Sequence, residues 1–172
     1  MNAIISEPSG VMRPAILVRT GSVPLASAST DGYKKALLAH KVPFRQELVI
    51  LHARLEEAGD QIGARAMGDL LKLKKRPDAV FCYNDLTAVE AIRHLLANGL
   101  RVPKDVAVIG CGNLRLSSYL EVPLSSIDQS PQQQGEEAAE LALSLIAGKE
   151  RPTPKRWLVA PKLIARASTI GR

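Results

Sequence analysis

"VFCYNDLTAVEAIRHLLANGLRVPKDVAVIGCGN", Val80 to Asn113, decides the fold. It reads as a strand, a helix and a second strand with almost no slack between them. The first strand is the apolar run Ala79 to Tyr83, the helix spans Leu86 to Ala97, and the second strand is Val106 to Ile109. Asp85 is placed to cap the helix and Asn98-Gly99 to end it. Strands separated by one helix at this interval imply parallel neighbours joined by a right-handed crossover. Such sheets bind ligands at the carboxyl ends of their strands, where Asn84-Asp85 and Cys111-Gly112-Asn113 stand.

Working outward, the same rhythm continues towards the N-terminus. "AILV", Ala15 to Val18, is a short strand, and "GSVPLASAST" after it reads as a Gly/Ser/Pro loop opening a helix near Asp31. Tyr33, Ala36 and Leu37 then fall on one helical face. A strand is predicted over Glu47 to Leu51. A longer helix follows from about Glu56 to Leu73, with Ile62, Ala66, Leu70 and Leu73 in its stripe; Gly59, Gly63 and Gly68 blur where it starts. After Asn113 the pattern changes to a long Ser- and Pro-marked connection with one short strand, Ser125 to Ile127. "PQQQGEEAAELALSLIAGK" is an amphipathic helix, with Pro131 in its first turn and Gly148 as its stop. "RPTPK" leads to two short apolar strands interrupted by Pro161. The fold class is α/β, a parallel sheet flanked by helices. Its parts are an N-terminal extension (1–13), one lobe (14–128), a helix (129–150) and C-terminal strands (151–172).

A chain of 172 residues, 46% hydrophobic, supports one core rather than two independent domains. The formal charge of +6 raises the question of nucleic acid. The densest basic run, Lys72, Lys74, Lys75 and Arg76, falls where a helix should finish and complements its dipole; a nucleic-acid patch is the competing reading. With 3% aromatic residues there is little to stack on bases. The two cysteines, Cys82 and Cys111, lie in apolar strands without a C-x-x-C or a histidine pair, so neither a disulfide framework nor a zinc site is expected. No metal or cofactor is expected. The N-terminus shows no leader pattern and no apolar run is long enough for a membrane helix, so no membrane partner and a cytoplasmic location are expected.

From about Ala15 to Ser168 the chain resembles the effector-binding part of the lactose-repressor (LacI/GalR) family of transcription regulators. "PDAVFCYNDLTAVEAIRHLLANGLRVPKDVAVIGCGN" is similar to that family's Pro-Asp-Ala, apolar strand, Asn-Asp, small-residue helix, Val-Pro, strand and Ile-Gly. "PLSSIDQSPQQQGEEAAELALSLIAGK" and "LIARAS" resemble its later signatures in order. The resemblance implies two lobes of periplasmic-binding-protein type hinged around a sugar or other small effector and preceded by a helix-turn-helix. On that pattern, 14–128 corresponds to the second lobe and 129–150 to a helix returning to the first. The expectation is a truncated regulator, lacking most of the first lobe and the helix-turn-helix through which DNA would be bound.

The resemblance also implies site residues. Asn84 matches the family's cleft-edge asparagine and Gln129 a polar residue on the hinge-crossing segment; Asn113 is a third candidate. An amide offers donor and acceptor together, which suits a ligand hydroxyl. Local turn chemistry is the other reading of Asn84, and simple exposure that of Gln129 and Asn113. Two departures count against ordinary sugar binding. Ser29 stands where the family usually has arginine, and Gly112 where it usually has an acidic residue, so charge-assisted bonds are lost. Weak or absent effector binding is therefore expected. The helix Leu86 to Ala97 serves subunit pairing in the family, which assigns Ala88, Ala91, Ile92 and Leu95 to a homodimer interface. The apolar stripe of the 129–150 helix, including Leu141, Leu145 and Ile146, also requires a partner surface.

The competing class is a small α/β enzyme using Asn84, Asp85 and Cys111. Little supports it. "GCGNLR" has Arg115 where a dinucleotide fingerprint needs glycine, and no G-x-S-x-G elbow occurs. His40, His52 and His94 all fall elsewhere, leaving Cys111 without a base. A non-enzymatic sensing and dimerisation module is the function expected.

Overall fold

The computed structural model describes residues 12–19, 23–52, 61–148 and 158–171. Six strands form one sheet: β1 (Pro14–Arg19), β2 (Val49–His52), β3 (Ala79–Cys82), β4 (Ala107–Cys111), β5 (Ser125–Asp128) and β6 (Lys162–Ile164). Their spatial order is β2-β1-β3-β4-β5-β6. β1 to β5 are parallel, and β6 runs antiparallel to β5. The helices are α1 (Val23–Ala39), α2 (Ile62–Leu71), α3 (Asp85–Ala97) and α4 (Pro131–Ile146). The α/β class and the parallel sheet expected from the sequence are those observed.

Alternation along β1 divides the interior between the two faces of the sheet. Ala15 and Leu17 join Val80, Cys82, Val108 and the inner faces of α2 and α3 in the larger core. Ile16 and Val18 point the other way, to Val49, Phe81 and Tyr33 of α1. Tyr33 fixes α1 to the start of β1 through a 2.7 Å bond to the Pro14 carbonyl. Burial pushes its phenol up to about 12. Asp78 anchors the same corner by accepting the Arg13 N–H on both carboxylate oxygens, at 3.0 and 3.1 Å.

The glycine that blurred the start of α2 has a packing reason. A Cβ on Gly63 would lie 2.1 Å from the Thr87 carbonyl, so glycine is what lets α2 and α3 approach this closely. Glu90 of α3 accepts the Gly63 N–H at 2.6 Å in the same place. The basic run follows α2 as expected, with Lys72 at the C-cap paired to Asp69 at 2.9 Å.

Several expectations are corrected. α1 begins at Val23, not near Asp31, because Pro24 is compatible with a first helical turn and the Ser/Ala stretch after it contains nothing that breaks a helix. The chain enters β2 through a short 3-10 turn, Gln46–Leu48, so the strand starts two residues later than predicted. Residues 158–161 form no strand, leaving β6 as the only one among the described C-terminal residues. The N-terminal extension up to residue 11, residues 53–60 and the "RPTPK" link lie outside the described residues.

The four residues assigned to subunit pairing are also corrected. Ala88, Ala91 and Leu95 are 0% exposed and Ile92 is 5% exposed, all within the chain's own core. Their stripe faces the sheet and α2, so it offers no surface to a second subunit. α4 behaves in the opposite way: it buries no residue, and Leu143, Leu145 and Ile146 stand exposed.

Candidate functional site

Asn84, Asn113 and Gln129 each follow the carboxyl end of a strand, β3, β4 and β5 in turn. Parallel pairing of these neighbours brings the three tips to one edge of the sheet. Beyond β4 and β5 the edge opens into a cleft of about 390 Å³, lined by Gly112, Asn113, Asp128, Lys162 and the first turns of α4, including Gln132 and Glu136.

Asn113 is the best-held residue of this cleft. It adopts the left-handed conformation, φ +48°, which asparagine tolerates better than most residues. Its backbone N–H donates to Ser126 Oγ at 2.9 Å and its Nδ2 to Asp128 Oδ2 at 3.0 Å. Its Oδ1 accepts from the Arg166 guanidinium at 2.8 Å. Expected as an exposed loop tip or a free ligand group, Asn113 is instead half-buried and bonded through both ends of its amide, which still has one N–H and one lone pair to offer. Asp128 also accepts the Ser130 N–H at 2.7 Å. That bond, the Asn113 amide and the nearby Lys162 charge hold its carboxyl below the usual carboxylate range. The cleft thus carries a fixed negative charge beside a neutral amide.

The other candidates are placed differently. Asn84 is the N-cap of α3, its side chain accepting the Thr87 N–H at 2.8 Å, a role the sequence suggested for Asp85. Gln129 is exposed, and its backbone carbonyl accepts from the Gln134 side chain. Neither lines the cleft. Asp128, Arg166 and Lys162 were missed. Ser126 and Asp128, two apart on β5, share a face, which was a legible signal; Arg166 gave none, lying 53 residues from Asn113.

The residues of the enzymatic alternative do not assemble into a reactive centre. Asp85 is 1% exposed, and its carboxylate is occupied by Leu114 N–H and the hydroxyls of Ser117 and Ser126. Burial and the Asp85 charge both push the Cys111 thiol up, away from the thiolate a nucleophile needs. Among the described residues no group of three or more His, Cys, Asp and Glu could hold a metal ion. No described helix is long and apolar enough to cross a membrane.

A larger groove of about 780 Å³ lies between α2 and α3, lined by Arg65, Asp69, Lys72, Arg76 and His94 among others. Its size does not make it the better candidate. It sits on the outer faces of two helices, away from the strand tips where this topology places ligands.

Residues 9–169 match the periplasmic binding protein-like domain family. The chain belongs to that family. The relatives it is similar to include transcriptional regulators, some of them of the LacI family. The HTH-type transcriptional repressor PurR of Aliivibrio fischeri is 34% identical over 180 aligned positions, covering 97% of this chain and 52% of the repressor. A LacI-family regulatory protein from Chloroflexus aggregans superposes with a TM-score of 0.82 at 29% identity, over 91% of this chain and 54% of that one. The transcriptional regulator CelR in complex with cellobiose superposes at 0.77 with 31% identity, over 93% and 47%. The domain therefore spans about half the length of these relatives. They are transcriptional regulators, and in this chain the Asp85 carboxylate is occupied by Leu114, Ser117 and Ser126 while the Cys111 thiol is pushed up.

Proposed function

We propose that this domain is the effector-sensing part of a cytoplasmic LacI-type regulator and takes a small hydroxylated molecule in the cleft at Asn113. The observation that carries this is Asn113 at a strand tip: Ser126 holds its backbone N–H, while Asp128 and Arg166 hold its side-chain amide with one donor and one acceptor still available. Asn84 and Gln129 border the same sheet edge and complete the polar rim when the ligand is large enough to reach them. Binding to the chain by itself is weak, for two reasons. Ser29 and Gly112 supply no charge-assisted contact. The described cleft is walled only by strand tips and α4, whereas tight small-molecule sites bury most of the ligand surface.

α4 supports the second half of the proposal. Its exposed Leu143 and Ile146 require a covering surface, and the domain spans only about half of its relatives. That surface belongs to a lobe equivalent to the remaining part of those relatives, supplied by the same polypeptide or by a second copy in a homodimer. By itself the domain has no recognition helix among its described elements, and specific DNA contact is assigned to a separate helix-turn-helix.

Calorimetric titration with glucose, ribose, cellobiose and adenosine tests the effector reading. Saturable binding with Kd between high micromolar and millimolar values is expected from at least one. Sub-micromolar binding would contradict the weak-site proposal, and no heat from any of them would contradict the sensing role.

A further inference from the structure

Asp85 is a buried carboxylate that the effector proposal does not use, and its partners explain why it is there. Oδ1 accepts the Ser126 hydroxyl at 2.6 Å; Oδ2 accepts Leu114 N–H at 2.6 Å and the Ser117 hydroxyl at 2.8 Å. Ser126 Oγ in turn accepts the Asn113 N–H at 2.9 Å. Because Ser126 has one hydroxyl proton and gives it to Asp85, its oxygen presents lone pairs to Asn113. The direction of the whole chain, Asn113 to Ser126 to Asp85, is thereby fixed. Leu114 is the next residue after Asn113, so Asp85 grips the left-handed tip at two consecutive peptide groups, once directly and once through Ser126.

The room for this is built into β4. A Cβ on Gly110 would lie 2.3 Å from Asp85 Oδ1 and 3.2 Å from Leu124, so only glycine admits the carboxylate at that depth. Helix start, β4 tip and β5 therefore meet on one side chain.

We infer that Asp85 is the positioning residue of the cleft: through Ser126 and Leu114 it holds Asn113 in its left-handed conformation with the amide turned to the cleft. The inference rests on the effector proposal for its purpose, but its geometry is testable without a ligand. An asparagine at position 85 fits the same volume, yet its NH2 group meets a donor: either the Leu114 N–H, or a Ser126 hydroxyl that must then turn its proton elsewhere.

The test is amide hydrogen exchange, residue by residue by NMR, on the full chain and on Ser126→Ala, Asp85→Asn and Gly110→Ala. Ser126→Ala removes only the link, and Gly110→Ala displaces the carboxylate without removing it. Exchange at Asn113 and Leu114 is expected to rise at least tenfold in Asp85→Asn, and at Asn113 in Ser126→Ala, while Val80, Val108 and Leu17 keep their wild-type rates. Unchanged exchange at Asn113 in Ser126→Ala overturns the inference, as does an equal rise at Asn113 and in the core, which would make Asp85 a general stability residue. Gly110→Ala is expected to follow Asp85→Asn if it folds. A failure of the sugar titrations leaves these outcomes unaffected, so the two proposals fail separately.

Discussion

Helices α3 and α4 have comparable apolar stripes and opposite fates. Ala88, Ala91, Ile92 and Leu95 of α3 lie sealed between the sheet and α2, whereas α4 buries nothing and leaves Ile146 82% exposed. An amphipathic pattern establishes that a helix needs a covering surface, not where that surface is. For α3 it is within the chain. For α4 no described residue supplies it. The same contrast separates a helix that stabilises the lobe from one available for assembly.

The largest expected effect comes from breaking the α3 side. Leu95→Ala should cost about 3 kcal/mol, the range for a fully buried leucine with a residual cavity, read as a fall in the urea midpoint with unchanged slope. A loss no larger than that of an exposed leucine would mean that α3 is not core. Gly63→Ala sharpens the same region: the added methyl strikes the Thr87 carbonyl, and about 2 kcal/mol of destabilisation is expected despite the better helix propensity.

These two positions also mark how far the sequence could be read. The alternation of strand and helix was visible because period 2 and period 3.6 are printed in runs such as Ala79 to Tyr83 and Leu86 to Ala97. The start of α1 was not, since Ser, Ala and a first-turn proline look the same in a loop and in a helix. Ala88 to Leu95 were assigned to the wrong surface because a stripe carries no address. The cleft was half legible. Asn113 was visible at a strand tip, but its partners Ser126, Asp128 and Arg166 meet it only after β5 and the C-terminal segment dock, through contacts 13 to 53 residues apart.

A smaller effect tests the junction at Asn84. Asn84→Ala removes the cap from α3 and should cost about 1 kcal/mol by thermal or chemical denaturation. Smaller still is the acid response of Asp128. Its folded pKa is lowered, so its contribution is present above the unfolded value, near 3.9, and is lost as pH falls through the folded one. Asp128→Asn should therefore lower stability at neutral pH slightly and flatten its decline below about pH 4; an identical decline in both proteins would count against the Ser130 and Asn113 bonds. At the end of the scale, Ile146→Ser on α4 should change the stability of the isolated chain by less than about 0.5 kcal/mol, while reducing any self-association seen by light scattering.

Chemical-shift mapping of a cellobiose titration compares the two openings directly and shows which of them is the ligand site. The prediction is a set of shifts confined to Gly112, Asn113, Asp128 and the first turn of α4, extending to Asn84 and Gln129 at most. Shifts centred on Arg65, Asp69 and His94, in the larger groove between α2 and α3, would contradict it.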